Sequence, residues 1–214
     1  MKERLRNAKG FTPHLSKGAG FTLIELAIVL VIIGIIIGAI LKGGDLIEGA
    51  RHKRLASECR KWESLTWEFM DRKGYFPGDS GKDGTIGTIG EEGENPKDDL
   101  TTKGRFLDPP DTNSVTMGGY TFYLWLGNTA AKKNVIGITN SATSPTTGFS
   151  DDELAYMESF DTSIDGASDG TSGRVRAATT ATVNSAEWLM SAATPSGDWS
   201  SATKALLYYF DRKP

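Results

Sequence analysis

Glu25 has the clearest chemical consequence of any residue, because it is the one charged side chain in the apolar run from Phe21 to Leu41. A carboxylate inside hydrocarbon is costly and usually marks a functional group with a partner. No Lys or Arg lies within two helical turns of Glu25. A cut between Gly20 and Phe21 would create an α-amino group at the same depth. In an assembly, the amine of one copy would pair with the carboxylate of the next copy, which favours polymerisation.

The element around Glu25 is long enough to cross a membrane. The sixteen residues from Leu26 to Leu41 contain no charged or strongly polar side chain. A helix of about 20 apolar residues spans a hydrocarbon core of roughly 30 Å. A basic flank precedes the run, carries net charge +4 and predicts a cytoplasmic N-terminus. Its charged residues are Lys2, Glu3, Arg4, Arg6, Lys9 and Lys17.

The residues on both sides of Gly20 resemble the class III signal of type IV pilins and type II secretion pseudopilins. The matching segment is Lys17-Gly18-Ala19-Gly20 followed by Phe21-Thr22-Leu23-Ile24-Glu25-Leu26. The resemblance implies that a prepilin peptidase cuts between Gly20 and Phe21 and that Phe21 is then N-methylated. It also implies that Glu25 is the assembly residue. The motif requires Gly, Phe, Glu and a long apolar run at fixed spacing, so it is specific.

The resemblance further implies a structural role rather than an enzymatic one. The expected protein is a subunit of a type IV pilus or a type II secretion pseudopilus, a helical filament of identical chains. Its expected partners are the prepilin peptidase, an inner-membrane assembly platform and a cytoplasmic ATPase, with no nucleic acid. Before assembly, the chain would cross the bacterial inner membrane once. After assembly, it would lie in the filament, in a periplasmic to extracellular location.

Two other interpretations of the N-terminal run were compared with this one. An ordinary secretory signal has an apolar core of about 7–15 residues followed by a small-residue cleavage site. The run here is longer, and residues 41–44 match such a site poorly. A membrane-anchored extracytoplasmic binding protein that does not polymerise remains open as an alternative. It predicts an uncut N-terminus and no role for Glu25.

A second group of chemical interest is an oxygen-rich segment near residue 165. Asp161, Ser163, Asp165 and Asp169 occupy relative positions 1, 3, 5 and 9 of a pattern similar to the first half of a calcium-binding loop. The bidentate Glu expected at position 12 is replaced by Ser172. Major pseudopilins carry a calcium ion near their C-terminal loop, so the resemblance favours Ca²⁺ here. The alternative is ordinary Asp-Gly turn chemistry.

Ser80 lies in Gly78-Asp79-Ser80-Gly81, which superficially matches the nucleophile segment of trypsin-like proteases. Such chemistry needs a base beside the hydroxyl group. His52 is the one histidine after the leader, and we expect it to be a solvated helix residue. The sequence therefore predicts no catalytic residue. The five tryptophans are expected to pack in a core rather than to bind a ligand.

Composition indicates a mildly acidic exported protein. Removing residues 1–20 leaves 194 residues with a formal net charge of −7. A nucleic-acid-binding protein would show a basic patch instead.

Cys59 is the single cysteine, so an intrachain disulfide is excluded. Because many pilins close their C-terminal region with a disulfide, something else must hold that region here. We expect Cys59 to be a core thiol, with an intersubunit bridge as the alternative.

The predicted fold is α+β and pilin-like, with a long N-terminal helix packed on a small antiparallel β-sheet. We expect a leader at residues 1–20 and the helix at 21–73, of which 21–41 form the membrane span and filament core. A β-rich head domain should follow at 74–214. An amphipathic stripe beyond Lys42 predicts the packed half of the helix, and Gly74 its end. Gly43-Gly44 is a candidate for local melting in the filament. The stripe contains Leu55, Cys59, Trp62, Leu65, Thr66, Phe69 and Met70.

Short elements are predicted within the head domain after a long loop over residues 78–114. Strands are predicted at 120–126, 134–139, 174–177 and 205–210. At 120–126 apolar content also allows a short helix, and the aromatic content favours a strand. Ser150 and Glu153 form a capping-box pattern, which predicts a short helix from Asp151 to Phe160.

Overall fold

A computed structural model describes residues 20–87 and 94–211, without the side chain of Ala192. The chain divides into two compact units, Met1–Asp45 and Leu46–Pro214. Helix α1 is Leu23–Lys73, and its residues fall in both units. Two shorter helices follow in the second unit, α2 at Pro96–Asp98 and α3 at Asp151–Asp165. A π-helical turn at Asp99–Lys103 continues directly from α2.

The residues next to helix α1 explain where it begins and ends. Thr22 precedes its first residue, and Gly74 follows its last one with φ +82°. That left-handed conformation suits glycine, and the Gly74 amide donates to the Met70 carbonyl oxygen at 2.7 Å. The predicted helix end is therefore confirmed. The predicted stripe is confirmed as well, since six of its members are buried and Met70 packs beside them.

Six strands form one sheet in the second unit. The sheet order is β1-β2-β3-β6-β4-β5, and every pairing in that order is antiparallel. Strand β5 also pairs in parallel with β2, so five strands close into a ring and β1 extends from it. The strands are β1 Ser114–Met117, β2 Tyr120–Thr129, β3 Asn134–Thr139, β4 Val175–Asn184, β5 Leu189–Pro195 and β6 Ala205–Tyr208.

The predicted α+β fold, a long helix packed on an antiparallel sheet, is confirmed. The one parallel pairing, β2 with β5, closes the ring and gives the second unit two cores. Alternate residues of a strand face opposite sides. Trp125, Met190 and Leu207 therefore belong to one small cluster, whereas their neighbours Leu124, Leu189 and Leu206 belong to a larger one. The larger cluster also contains the buried faces of α1 and α3, including Trp62 and Phe160. The long helix thus packs on the sheet through residues of the second unit.

The aromatic residues pack as predicted. Trp62, Trp125 and Trp188 are buried, and Trp67 and Trp199 lie partly buried against the larger cluster. Trp62 contacts Trp188 with ring centroids 5.5 Å apart, which joins α1 to the start of β5. These side chains contribute core area, as expected of large aromatics.

Several predicted boundaries are wrong. Strand β2 continues beyond Leu126 to Thr129, because Asn128 still pairs with Asn134 across the sheet. Strand β4 extends to Asn184, and β1 and β5 were not predicted. Helix α3 continues past Phe160 to Asp165 and ends at Gly166, which has φ +83°. Its predicted capping box is confirmed, since Ser150 and Glu153 bond reciprocally.

Strand β6 is held in the sheet by β3 and β4, and one arginine binds the residues that follow it, without a disulfide. Arg174 donates through Nε to the Tyr209 carbonyl and through Nη2 to the Phe210 carbonyl, both at 2.9 Å. Its guanidinium also lies 5.1 Å from the centroid of the Tyr208 ring. The Tyr208 hydroxyl donates to Glu63 Oε2 of α1 at 2.8 Å. Burial and then this hydrogen bond raise the pKa of Tyr208.

Tyr208→Phe should lower the free energy of unfolding by about 1–2 kcal/mol, because a nearly buried hydrogen bond to a carboxylate is lost. Urea unfolding of the full chain in detergent would measure the change. Tyr120→Phe is the matched control, since the Tyr120 hydroxyl donates to Asp152 at the surface. We expect that variant to change stability much less. Equal losses in both variants would contradict a specific role for Tyr208.

Candidate functional site

The first site is the start of α1, where the peptide between Gly20 and Phe21 lies outside regular structure. Helix α1 begins two residues after Phe21, and both residues at the peptide are exposed. Exposed, non-helical chain is the form in which proteases reach a bond. A Cβ built on Gly20 would have no atom within 4 Å, so packing within the described chain does not require glycine there. Residues 17–19 of the motif lie outside the described residues.

Glu25 has a local partner that the sequence analysis did not identify. Its Oε2 accepts hydrogen bonds from the backbone amide and the hydroxyl of Thr22, both at 2.8 Å. The Glu25 amide is 3.3 Å from Thr22 Oγ1, which completes a reciprocal capping box. The sequence signal was present as Thr-x-x-Glu directly before an apolar run. In a single chain, Glu25 therefore accepts from the Thr22 amide, and Thr22 Oγ1 accepts from the Glu25 amide, at the start of α1.

The side chains after this cap are apolar and unpartnered within their own unit. All of the large apolar residues from Phe21 to Leu41 are exposed. Among the described residues, α1 is the one helix long and apolar enough to cross a membrane. Leucine and isoleucine side chains exposed on this scale need lipid or other helices as an environment.

The four residues predicted to bind calcium lie at the end of α3 and in the loop that follows. Asp161, Ser163 and Asp165 are helical, which corrects the expected loop geometry. Asp161 Oδ2 accepts from the Asp169 amide and from Trp199 Nε1. Burial raises the pKa of the Asp161 carboxyl group, and Asp161 Oδ1 is buried without a hydrogen-bond partner.

The other residues of this set also have hydrogen-bond partners within the chain. Asp165 Oδ2 accepts from the Arg174 and Val175 amides at 2.8 Å, and Ser163 Oγ donates to the Phe160 carbonyl. Hydroxyl donors from Ser172 and then Thr171 lower the pKa of Asp169 to about 2. Asp198, a possible outside ligand, caps the amides of residues 170 and 199.

This arrangement does not fit calcium as it stands. Ca²⁺ takes six to eight oxygen ligands. Within residues 20–87 and 94–211, no three His, Cys, Asp or Glu side chains are grouped to hold a metal ion. Calcium binding at residues 161–169 therefore stays a prediction, and no step of the proposed function depends on it.

The residues of the hydrolase alternative are separated. The Ser80 hydroxyl donates to Glu94 rather than to an imidazole. His52 instead stacks on Tyr156, with ring centroids 4.4 Å apart, so its expected solvated position is wrong. This ring contact forms because α3, which carries Tyr156, packs against α1 at His52.

Cys59 is fully buried in the larger core cluster, as predicted for a core thiol. Burial raises the pKa of its thiol group, which keeps the sulfur protonated and unreactive. An intersubunit disulfide would need this side chain to leave the core.

Comparison with known proteins identifies the N-terminal segment. A family model described as the prokaryotic N-terminal methylation motif matches residues 15–41. The match includes Gly20, Phe21 and Glu25, and it confirms the class III signal that the sequence resembled. No curated protein and no solved structure matches the chain significantly.

Proposed function

We propose that this chain, which carries the class III signal of type IV pilins and pseudopilins, is a structural subunit of a type IV pilus or a type II secretion pseudopilus. The observation that carries the proposal is the combination of this motif with an apolar helix whose side chains are exposed. Residues 1–20 act as the leader, residues 21–41 as the membrane span and filament core, and residues 74–214 as the head domain.

Maturation and assembly follow from the chemistry at Gly20 and Glu25. A prepilin peptidase removes the leader, and Phe21 becomes the methylated N-terminus. The mature subunit waits in the inner membrane until the assembly platform and its cytoplasmic ATPase add it to the filament. There, Glu25 pairs with the α-amino group of a neighbouring Phe21. The lower dielectric of the packed helices strengthens that attraction relative to water.

The glycines of α1 support close packing between subunits. Gly34, Gly38, Gly43, Gly44 and Gly49 are helical, and a Cβ built on any of them would meet nothing within 4 Å in this chain. Each costs about 1 kcal/mol relative to alanine in a helix interior. Small residues allow helices to approach closely in an apolar environment, which offsets that cost in a filament. Melting at Gly43-Gly44 in the filament stays a prediction.

Gly20→Ala should block removal of the leader and leave the full-length chain in the membrane. A pocket shaped for glycine disfavours an added methyl group by on the order of 10–200-fold. An added Cβ meets no atom of the described residues within 4 Å, so the effect would report on the peptidase. Intact-mass measurement and N-terminal sequencing would distinguish 214 residues from 194 with methylated Phe21.

Gly18→Ala, inside the leader, is the matched control and should mature normally. Electron microscopy of material sheared from cells would then look for filaments in the wild type and the control. Normal maturation of Gly20→Ala would count against the whole proposal. Normal processing without any filaments would contradict the role in a filament, and an uncut N-terminus in the wild type would favour the membrane-anchored binding protein.

A further inference from the structure

A cleft in the second unit opens between α1 and α3. Its volume is about 310 Å³. Sites for small ligands usually start at about 300 Å³, so the cleft can hold a small anion with its waters. Lys53, Ala56, Ser57 and Arg60 line the α1 wall, and the small side chain of Ala56 leaves the space open. Ser159 and Ser163, one turn apart, line the α3 wall.

The two cations of the cleft lack partners. Within the described residues, neither Lys53 nor Arg60 has a carboxylate oxygen within 4.0 Å, whereas Lys61 pairs with Asp108 at 2.8 Å. Lys53 and Arg60 are seven residues apart, which places them on one helix face two turns apart. Unpaired cations on one face attract anions even though the mature chain carries a net charge of −7.

Hydroxyl groups complete the donor set. The side chains of Ser57 and Ser159 make no hydrogen bond to any described residue, so both hydroxyls can donate to a ligand. Ser163 already donates to the Phe160 carbonyl at 2.7 Å and can act only as an acceptor there. The cleft thus combines two charged donors from one helix with neutral donors from both helices.

His52 forms the end of the cleft and is fixed in place. Its ring stacks on Tyr156, and its Nε2 is buried without a hydrogen bond, 4.0 Å from Glu48 Oε1. The histidine therefore shapes the wall, while Lys53 and Arg60 supply the charge.

We infer that this cleft binds a phosphoryl or sulfuryl oxyanion. Such a group presents several acceptor oxygens in different directions, which matches donors on two facing walls. Arginine is suited to bidentate contacts with phosphate, and lysine adds a compact charge. The group can come from free inorganic anion or from an anionic phospholipid headgroup. The inference does not depend on filament assembly.

Titration of the full chain in a nonionic detergent tests this site. Inorganic phosphate and sulfate are added at constant ionic strength, and the amide NMR signals of Ser159 and Ser163 are followed. In a second arm, micelles containing phosphatidylglycerol are compared with micelles containing phosphatidylcholine. Saturable shifts with phosphate identify the free anion as the source. Shifts with phosphatidylglycerol alone identify the headgroup. A wild type that responds to none of these probes overturns the inference.

Two double variants test whether binding depends on the cleft residues or only on the number of positive charges. Lys53→Ala with Arg60→Ala should weaken binding at least about tenfold, because two charged donors are lost. Arg54→Ala with Lys73→Ala removes the same charge from exposed positions outside the cleft and should bind within about twofold of wild type. Equal weakening in both double variants overturns the inference.

Discussion

Glu25→Gln should leave cells with very few filaments although the chain is still cut at Gly20. Glutamine at the third helical position can still accept from Thr22, so the capping box is retained. The negative charge, however, is lost. If the carboxylate pairs with the α-amino group of a neighbour, each subunit loses that attraction. We expect filament yield to fall by on the order of a hundredfold, since an unpaired amine would remain in an apolar environment.

Thr22→Val provides the opposite test, because it removes the hydroxyl cap and keeps the charge at Glu25. It should cost about 1 kcal/mol of local helix stability and leave filament yield near that of the wild type. Sheared filaments would be counted by electron microscopy, with immunoblotting to match subunit levels. Filaments at wild-type abundance in Glu25→Gln would refute the ion pair. Loss of filaments in Thr22→Val alone would show that the cap, rather than the charge, is what assembly needs.

Gly127→Ala should destabilise the second unit more than any other small substitution considered for this chain. A Cβ built there would lie 1.8 Å from the backbone oxygen of Met190, where β2 meets β5 in parallel. Backbone atoms cannot move aside without breaking the pairing that closes the ring. We expect the free energy of unfolding to fall by more than about 3 kcal/mol.

Two other glycines give a graded series. A Cβ at Gly137 would lie 2.3 Å from the end of the Met190 side chain, which can shift, so Gly137→Ala should cost about 1–3 kcal/mol. Gly81 is exposed with nothing within 4 Å, and Gly81→Ala should change stability by less than about 0.5 kcal/mol. All five tryptophans lie in the second unit, so their fluorescence during urea unfolding reports on it. Similar stabilities of Gly127→Ala and Gly81→Ala would contradict ring closure.

Features set by neighbouring residues were predictable from the sequence. The α1 stripe, its end at Gly74 and the α3 capping box each depend on residues within one or two turns. The signal around Gly20 is equally local, and the family match confirms it. The Thr22 cap is also local, since Thr-x-x-Glu directly before an apolar run is its pattern.

Long-range pairings were not predictable in the same way. Strand β5 reaches β2 from more than 60 residues away, and alternating apolar residues do not specify which strand edge they will meet. Helix α3 continues over Asp161 and Asp165, whose carboxylates accept hydrogen bonds from residues between 169 and 199. The local sequence resembles a turn and does not indicate these distant donors. The cleft at Lys53 and Arg60 depends on α3, about 100 residues further along the chain.

The way in which strand pairing and Arg174 hold the C-terminal region affects where the protein can fold. The bonds of Arg174 to the carbonyls of residues 209 and 210 need no oxidant, and the single thiol is enclosed in the core. The chain therefore reaches its native state without disulfide-forming enzymes. Reducing conditions leave its C-terminal region in place.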